Sequence, residues 1–244
     1  MRNSKEAFQL QVPMGEKTVL LHTCCAPCSS AIIECMLQNG ITPVIYYCNP
    51  NIYPKEEYEI RKNECTRYAK SLGLEIVDAD YDHEIWLETV RGLENEPERG
   101  SRCMECFKMR LLRTAGYACS RGIKVITTTL ASSRWKSLDQ INAAGIWACN
   151  QISGMYRQGL IRGRDRAVYL REQIWKGAKV AGRSETETGS PAVMSSEVET
   201  SLITWWNRNW RKHGLQERRL QIIKEYGFYN QRYCGCEFSM PEED

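Results

Sequence analysis

Apolar and polar segments alternate along the first 130 residues in a pattern typical of strands followed by helices. The apolar runs are short and partly β-branched, as in buried strands, and they lie at 17–23, 43–48, 75–78 and 124–130. Helical spacing of apolar residues predicts helices after residue 28 and at 55–72, 82–90 and 103–121. This alternation predicts an α/β layered fold with a mostly parallel sheet.

The first strand is predicted to lead into the first helix through a turn at Ala26-Pro27. Ser29 or Ser30 is expected to cap that helix, and Gly40 to end it. In parallel sheets, ligands bind beyond the carboxyl ends of the strands. The residues that directly follow the first strand are therefore expected at a functional edge.

The pattern changes after residue 149, which predicts three parts of the chain. Residues 1–149 form the α/β core, 150–204 a helical or irregular insertion, and 205–244 a C-terminal segment that returns to the core with a helix near 215–226. Basic residues outnumber acidic ones between 157 and 183, and 182–200 is polar, as in a flexible linker. The basic stretch fits a phosphate-binding patch or a solvated helix face.

Composition narrows the class of protein. The chain has 244 residues, a net charge of +3 and 12 cysteines, and this charge alone is too small to indicate a nucleic-acid partner. Its first residues lead into no apolar segment of a secretory signal, and no apolar run approaches the ~20 residues needed to cross a bilayer. We therefore expect a cytoplasmic protein without membrane association, in a reducing compartment where clustered cysteines bind metal or do redox work.

Groups of cysteines that lie far apart in the sequence predict one centre assembled by folding. Cys24-Cys25 closes the first strand, and Cys103-x-x-Cys106 begins a helix, where positions i and i+3 share one face. These four thiols match the ligand count of an iron–sulfur cluster. A structural Cys₄ zinc site is the alternative, although adjacent cysteines suit zinc less well than two CxxC pairs.

Cys234-Gly235-Cys236 predicts redox chemistry. A disulfide across one residue closes a strained ring that is easily reduced, so we interpret this pair as an electron-transferring dithiol. Together with Cys28, the pair also fits a second metal. The sequence contains no glycine-rich phosphate loop or Walker motif, so we expect no use of ATP. The remaining cysteines at helical positions and the histidine of the first strand are expected in the core: Cys35, Cys65, Cys119, Cys149 and His22.

Five motifs in a fixed order resemble the QueH family of epoxyqueuosine reductases, which complete queuosine at the wobble position of tRNA. They are Leu21–Cys28, Tyr47–Pro54 with Glu57, Tyr58 and Arg61, Arg102–Leu111, Thr127–Leu130, and Tyr229–Ser239. The resemblance covers roughly residues 17–148 and 205–240.

The resemblance implies a HUP-like (PP-loop-like) α/β fold and a [4Fe-4S] cluster. The family's cluster ligands match Cys24, Cys25, Cys103 and Cys106, and its redox-active pair matches Cys234 and Cys236. The implied reaction removes the epoxide oxygen of epoxyqueuosine with two electrons and two protons, which yields the cyclopentene of queuosine and water. An external electron donor is required.

The roles of the other residues are hypotheses. We expect the cluster, or an additional iron beside it, to bind the epoxide oxygen as a Lewis acid while the dithiol relays electrons. Tyr53, Tyr233 and Glu57 are candidate proton donors, and three further residues are candidates for positioning the substrate: Asn49, Asn51 and Arg61.

Contacts with tRNA are expected from the insertion and from the segment after it. Arg162, Arg164 and Arg166 are candidates for phosphate contacts, and Trp210, with Trp205 and Trp206, for base stacking; a role of these tryptophans in the core fits equally well. Two other classes of function remain open. One is a zinc-stabilised tRNA-binding module without redox activity, and the other is a thiol oxidoreductase that acts on proteins.

Overall fold

The computed structural model describes residues 8–79, 81–133, 135–161 and 202–240. In chain order its strands and helices are β1 (Thr18–Thr23), α1 (Ala26–Gln38), β2 (Thr42–Tyr47), α2 (Lys55–Ser71), β3 (Ile76–Asp78), α3 (His83–Thr89), α4 (Ser101–Arg121), β4 (Val125–Thr128), α5 (Leu138–Arg157), β5 (Thr204–Trp205) and α6 (Leu215–Tyr226). No helix within these ranges is long and apolar enough to span a bilayer.

The five strands form one parallel sheet in the order β3-β2-β1-β4-β5. This arrangement confirms the predicted α/β fold with a parallel sheet. The order reverses between β1 and β4, because the chain first builds the sheet outward on one side of β1 and then returns to its other side. Loops after two such strands diverge and leave a crevice at their carboxyl ends. Thr23 and Thr128 end the strands that border this crevice.

Alternating residues of the sheet face two separate apolar layers. Leu21 and Ile45 pack on one face with α1, α2 and α6, whereas Leu20 and Ile126 pack on the other face with α4 and α5. Side chains buried on both faces explain why the strands of the sequence are continuous apolar runs. The sheet is therefore a rigid central layer whose carboxyl edge is left for chemistry.

Helix α1 begins earlier than predicted. Pro27 lies in its first turn, where the missing N–H costs nothing because no carbonyl within the helix is available to pair with it. Ser29 does not cap the helix; its hydroxyl donates to the carbonyl of Cys25 at 3.0 Å. The predicted turn at Ala26-Pro27 is thus the first turn of the helix.

Two other element boundaries differ from those predicted. Strand β4 ends at Thr128 because the chain turns into a short 3₁₀ helix at Thr129–Ser132. Helix α5 crosses the predicted domain boundary at residue 149 and runs to Arg157. The predicted linker at 182–200 and most of the basic stretch lie outside the described residues.

A glycine in helix α5 allows strand β5 to pack closely against that helix. The ring of Trp205 lies over Gly145, so close that a Cβ atom there would approach the ring at 2.3 Å. The indole nitrogen of Trp205 also donates to Asn142 Oδ1 at 3.1 Å. This contact fixes the outermost strand of the sheet on α5.

His22 is a buried core residue, as predicted. Its Nε2 donates to the carbonyl of Cys48 at 3.0 Å, and its Nδ1 therefore accepts from the Thr128 hydroxyl at 2.6 Å. Burial lowers the pKa of His22 to about 3, so the ring is neutral. These bonds join the ends of β1, β2 and β4 beneath the crevice.

Gly145→Ala is expected to destabilise the protein by about 1–3 kcal/mol, because the added methyl group displaces the Trp205 ring. Gly154→Ala, in the same helix, is the matched control. A Cβ atom there meets nothing within 4 Å, so the better helix propensity of alanine should leave stability unchanged or raise it by up to about 1 kcal/mol. Urea denaturation measures both. Equal shifts for the two variants would contradict the packing of β5 on α5.

Candidate active site

Three thiols meet where β1 passes into α1. The sulfur atoms of Cys24, Cys25 and Cys28 all lie within 4.8 Å of one another, and those of Cys24 and Cys25 are 3.9 Å apart. Tetrahedral zinc with bonds of about 2.3 Å places its thiolates about 3.8 Å apart. The strand end and first helical turn therefore bring together a donor set that can bind a metal, and Cys28 belongs to it.

These thiols differ in pKa. Bonds from Cys25 and Cys28 hold the pKa of Cys24 well below its usual range, whereas burial raises that of Cys25. The Thr129 hydroxyl lies 3.4 Å from the Cys24 sulfur, and Gln231 Oε1 lies 3.3 Å from the Cys25 sulfur. Thr129, directly after β4, thus contacts Cys24, and Gln231 of the C-terminal segment contacts Cys25.

The other two cysteine pairs line one pocket at the same edge of the sheet. Cys103 and Cys106 come from the first turns of α4, and Cys234 and Cys236 from the C-terminal segment. Further lining residues are Asn51, Trp86, Glu98, Arg99, Arg102, Phe107, Arg110, Trp135 and Lys136. Folding therefore brings these two pairs, which lie far apart in the sequence, to one pocket.

Lys136 links the pocket to the three thiols after β1. Its charge lowers the pKa of Cys24 and also that of Cys234. Cys24 and Cys103 moreover pack against the same apolar layer of the core. In the described part of the chain, Cys103 and Cys106 do not lie within the 4.8 Å group that Cys24, Cys25 and Cys28 form.

Gly235 gives the C-terminal pair its shape. Its φ of +100° favours glycine, and a Cβ atom would lie 2.9 Å from Ile52 Cγ1 and 3.0 Å from Arg61 Nη1. Ile52 forms an antiparallel bridge with Cys236. The Tyr53 N–H donates to the Gly235 carbonyl at 2.9 Å. The pair is therefore held against the loop that follows β2.

The two thiols of this pair are in different protonation states. A hydrogen bond from Cys236 lowers the pKa of Cys234 to about 5, and the same bond raises that of Cys236. All twelve cysteines lie in the described part of the chain and are free thiols. The pair is therefore a reduced dithiol with one ionised sulfur.

Glu57 and Arg61 of α2 hold the segment that carries Cys234 and Cys236 in place. Arg61 Nη2 lies 2.6 Å from Glu57 Oε1 and donates to the Tyr233 carbonyl at 3.3 Å, while Nη1 donates to the Cys234 carbonyl at 3.4 Å. Tyr229 donates its hydroxyl to Glu57 Oε2 at 3.1 Å. The two side chains predicted as a proton donor and a substrate contact are thus engaged in a buried ion pair.

The predicted tyrosines and asparagines occupy different places. The Tyr233 hydroxyl donates to the Tyr53 carbonyl, and neither tyrosine is among the lining residues of the pocket. Asn49 is 1% exposed; it donates to the Thr23 carbonyl at 2.9 Å and accepts from Arg110. Only Asn51 of these predicted residues lines the pocket.

The prediction that Trp210 stacks on a base is wrong. Its ring is fully buried against Trp206 at a centroid distance of 5.3 Å, and its Nε1 lies 3.4 Å from Thr127 Oγ1. Trp210 is instead a core residue, which was the alternative. The predicted phosphate contacts lie outside the described residues: Arg162, Arg164 and Arg166.

Several lining residues were not predicted from the sequence. Trp135 and Lys136 follow β4 closely, so the rule that ligands bind beyond strand ends was a usable signal for them. Trp86 has no such signal, because a lone tryptophan in a short helix fits the core equally well. Tertiary packing alone brings it to the pocket.

Comparison with known proteins identifies the family. The family model described as Epoxyqueuosine reductase QueH matches residues 19–167 and 190–242. The protein of that name from Haemophilus influenzae is 37% identical, and the match covers 97% of this chain and 77% of the relative. The one from Acinetobacter baylyi is 36% identical over 97% of this chain and 87% of its own length. The one from Histophilus somni is 37% identical, with 98% and 80% covered.

Iodoacetamide at pH 6 is expected to alkylate Cys234 before Cys236, since only Cys234 is ionised there. Cys236→Ala removes the donor that lowers the Cys234 pKa. A higher pKa lowers the thiolate fraction of Cys234 but makes each thiolate more nucleophilic. The net effect should be labelling of Cys234 that is roughly tenfold slower. Peptide mapping by mass spectrometry measures the rates, and Cys149→Ala, a buried thiol in α5, is the control. Unchanged labelling in Cys236→Ala would contradict the shared proton.

Proposed function

Because the chain belongs to the QueH family of epoxyqueuosine reductases, we propose that it reduces epoxyqueuosine in tRNA to queuosine in the cytoplasm. The reaction removes the epoxide oxygen as water and leaves a carbon–carbon double bond. It consumes two electrons and two protons. Oxidation of the Cys234/Cys236 pair to a disulfide supplies the two electrons and the proton of Cys236. Because Cys234 is already ionised, the second proton comes from solvent, and an external thiol or one-electron donor regenerates the pair.

One observation carries this proposal: Cys103, Cys106, Cys234 and Cys236 line a single pocket beside three further thiols. A structural metal site binds its ligands in a closed shell and needs no pocket. A pocket lined by two thiol pairs can instead present sulfur atoms to a substrate.

The donor set fits an iron–sulfur centre. The thiols that meet at this edge of the sheet are the soft ligands such centres use, and hydrogen bonds from Cys25 and Cys28 hold the pKa of Cys24 well below its usual range. Cys24, Cys25, Cys103 and Cys106 would hold a [4Fe-4S] cluster, with Cys28 next to them as a ligand of an additional iron. Such a centre supplies one-electron transfer and a Lewis acid.

Side chains of the protein position the Cys234/Cys236 dithiol and set the protonation of its two thiols. Arg61 fixes the carbonyls of Tyr233 and Cys234, and Glu57 offsets its buried charge. Cys234 presents an ionised sulfur, while Cys236 retains the proton. The buried rings of Trp86 and Phe107 form apolar walls of the pocket and exclude water from the reacting sulfur atoms.

Contact with the anticodon loop is proposed at the rim of this pocket. Trp135 is 60% exposed there and lies beside Lys136. Arg99 Nε donates to the Trp135 carbonyl at 3.0 Å, and Arg211 Nη2 to the Lys136 carbonyl at 2.7 Å. An exposed indole on a backbone fixed by two arginines suits stacking on an unpaired base. The arginines at 162, 164 and 166 stay predicted phosphate contacts.

The proposal is tested with protein purified without oxygen. We expect a broad visible band near ~400 nm, about four irons per chain, and conversion of epoxyqueuosine to queuosine in tRNA, followed by mass spectrometry of nucleosides. Cys234→Ser and Cys236→Ser should bind iron but lose repeated turnover. Colourless protein with one zinc and no turnover would favour the tRNA-binding module, and cluster-free disulfide-reductase activity the protein thiol oxidoreductase.

Trp135→Ala is expected to weaken binding of the anticodon stem-loop by about 5- to 150-fold, the usual contribution of stacking on one base. Fluorescence anisotropy at fixed salt measures the Kd. Tyr156→Ala, which also truncates an exposed aromatic ring but lies away from the pocket, is the control. Equal Kd values for Trp135→Ala and the unaltered protein would remove this contact from the proposal.

A further inference from the structure

Three side chains that line the thiol pocket carry a buried polar atom without a hydrogen-bond partner among the described residues. The atoms are Oδ1 of Asn51, Nε1 of Trp86 and Nε of Arg102. The other two nitrogens of Arg102 bond the Glu94 carbonyl and the Ser239 hydroxyl, so Asn51 and Trp86 are the two considered as a binding site. Asn51 is 3% exposed and Trp86 is fully buried. Buried groups of this kind are rare in folded proteins because each one destabilises the fold unless it is paired. Because Asn51 and Trp86 line the same pocket, their unpaired atoms indicate a ligand that supplies the missing hydrogen-bond partners.

Neither side chain can turn away to find another partner. The Asn51 loop is held at both ends, since Ile52 N–H donates to the Asn49 carbonyl at 3.1 Å and the Pro50 carbonyl bonds His83 Nδ1 at 2.7 Å. The indole of Trp86 stacks between His83 and Phe238, at centroid distances of 5.4 and 5.9 Å. Both side chains are therefore held in fixed positions in the wall of the pocket.

Their chemistry selects the group that they bind. The amide oxygen of Asn51 only accepts a hydrogen bond, and the indole N–H of Trp86 only donates one. A hydroxyl group satisfies both, because it donates and accepts at the same atom. The apolar surfaces around them, from Phe107 and the Trp86 ring, suit a carbocyclic ring that carries the hydroxyl.

We propose that Asn51 and Trp86 bind a hydroxyl group on the ring that carries the epoxide, and so determine specificity for the ring. The inference rests on the proposed function. The five-membered ring of epoxyqueuosine bears hydroxyl groups beside the epoxide, so a grip on one of them holds the reacting carbons in the pocket that Cys234 and Cys236 line. Asn51 and Trp86 are positioning residues, since they do not touch the bonds that change.

The test compares two anticodon stem-loops. One carries queuosine, the product, and the other carries 7-aminomethyl-7-deazaguanosine, which has the same base and no ring. We expect the unaltered protein to bind the queuosine loop more tightly. Trp86→Phe and Asn51→Leu should each reduce this preference about 3- to 10-fold, the usual contribution of one hydrogen bond. The Kd for the loop without the ring should stay unchanged.

Two controls separate specificity from folding. Trp210→Phe removes the same atoms from a fully buried indole outside the pocket, so it reproduces the loss of volume and should keep the preference. The double variant Trp86→Phe/Asn51→Leu should lose little more than either single one, because both side chains hold the same hydroxyl. Anisotropy needs no turnover, so the result does not depend on iron content.

The outcomes distinguish this inference from the proposed function. If the unaltered protein neither prefers the queuosine loop nor reduces epoxyqueuosine in tRNA, the proposed function fails. If it does both and the two variants keep the full preference, the hydroxyl contact is refuted while the function stands. Additive losses in the double variant would also refute a shared hydroxyl, because independent contacts add.

Discussion

The buried ion pair between Arg61 and Glu57 is the constraint on which the thiol pocket depends. Arg61 is 3% exposed, and removing a guanidinium from water is costly unless its donors are all used. Glu57 and the carbonyls of Tyr233 and Cys234 use them. A segment more than 170 residues away in sequence is thereby fixed on α2. Loss of either charged partner would leave the other buried and unpaired, which is the more costly state.

A second buried arginine organises the opposite side of the pocket. Arg110 Nε donates to the Cys48 carbonyl at 3.2 Å, and its Nη2 donates to Asn49, while Asn49 in turn bonds the end of β1. Helix α4 is thus tied to the ends of β1 and β2, and Cys106, one turn before Arg110, is carried with it. Burial is the largest cause of the low pKa of His22, and the charge of Arg110 is the second. The ring beneath the crevice is therefore neutral. A buried positive charge is in this way placed near Cys106, while His22 stays uncharged.

Much of the fold was predictable because strands and helices leave periodic patterns. Of the distant thiols that were expected to converge, Cys103 and Cys106 line one pocket with Cys234 and Cys236, whereas Cys24, Cys25 and Cys28 form a separate group. The failures share a physical cause. Strand β5 has two residues, too few for any period, and its contact with Gly145 exists only after folding. Whether Trp210 is exposed is likewise decided by packing. The i, i+4 spacing of Glu57 and Arg61 did contain a signal for their ion pair, but motif proximity led to a prediction of catalytic roles instead.

The unequal protonation of Cys234 and Cys236 explains why the pair suits a reaction that needs electrons and protons together. A symmetric dithiol at neutral pH is mostly protonated and reacts slowly, since only the thiolate is a good electron donor. Here Cys236 donates its hydrogen bond to the neighbouring sulfur, so one thiol is ionised while the other still holds its proton. As the pair is oxidised and the negative charge on Cys234 disappears, Cys236 loses the partner that raised its pKa. In the proposed reaction, oxidation therefore makes the retained proton more acidic at the moment when the departing oxygen requires it.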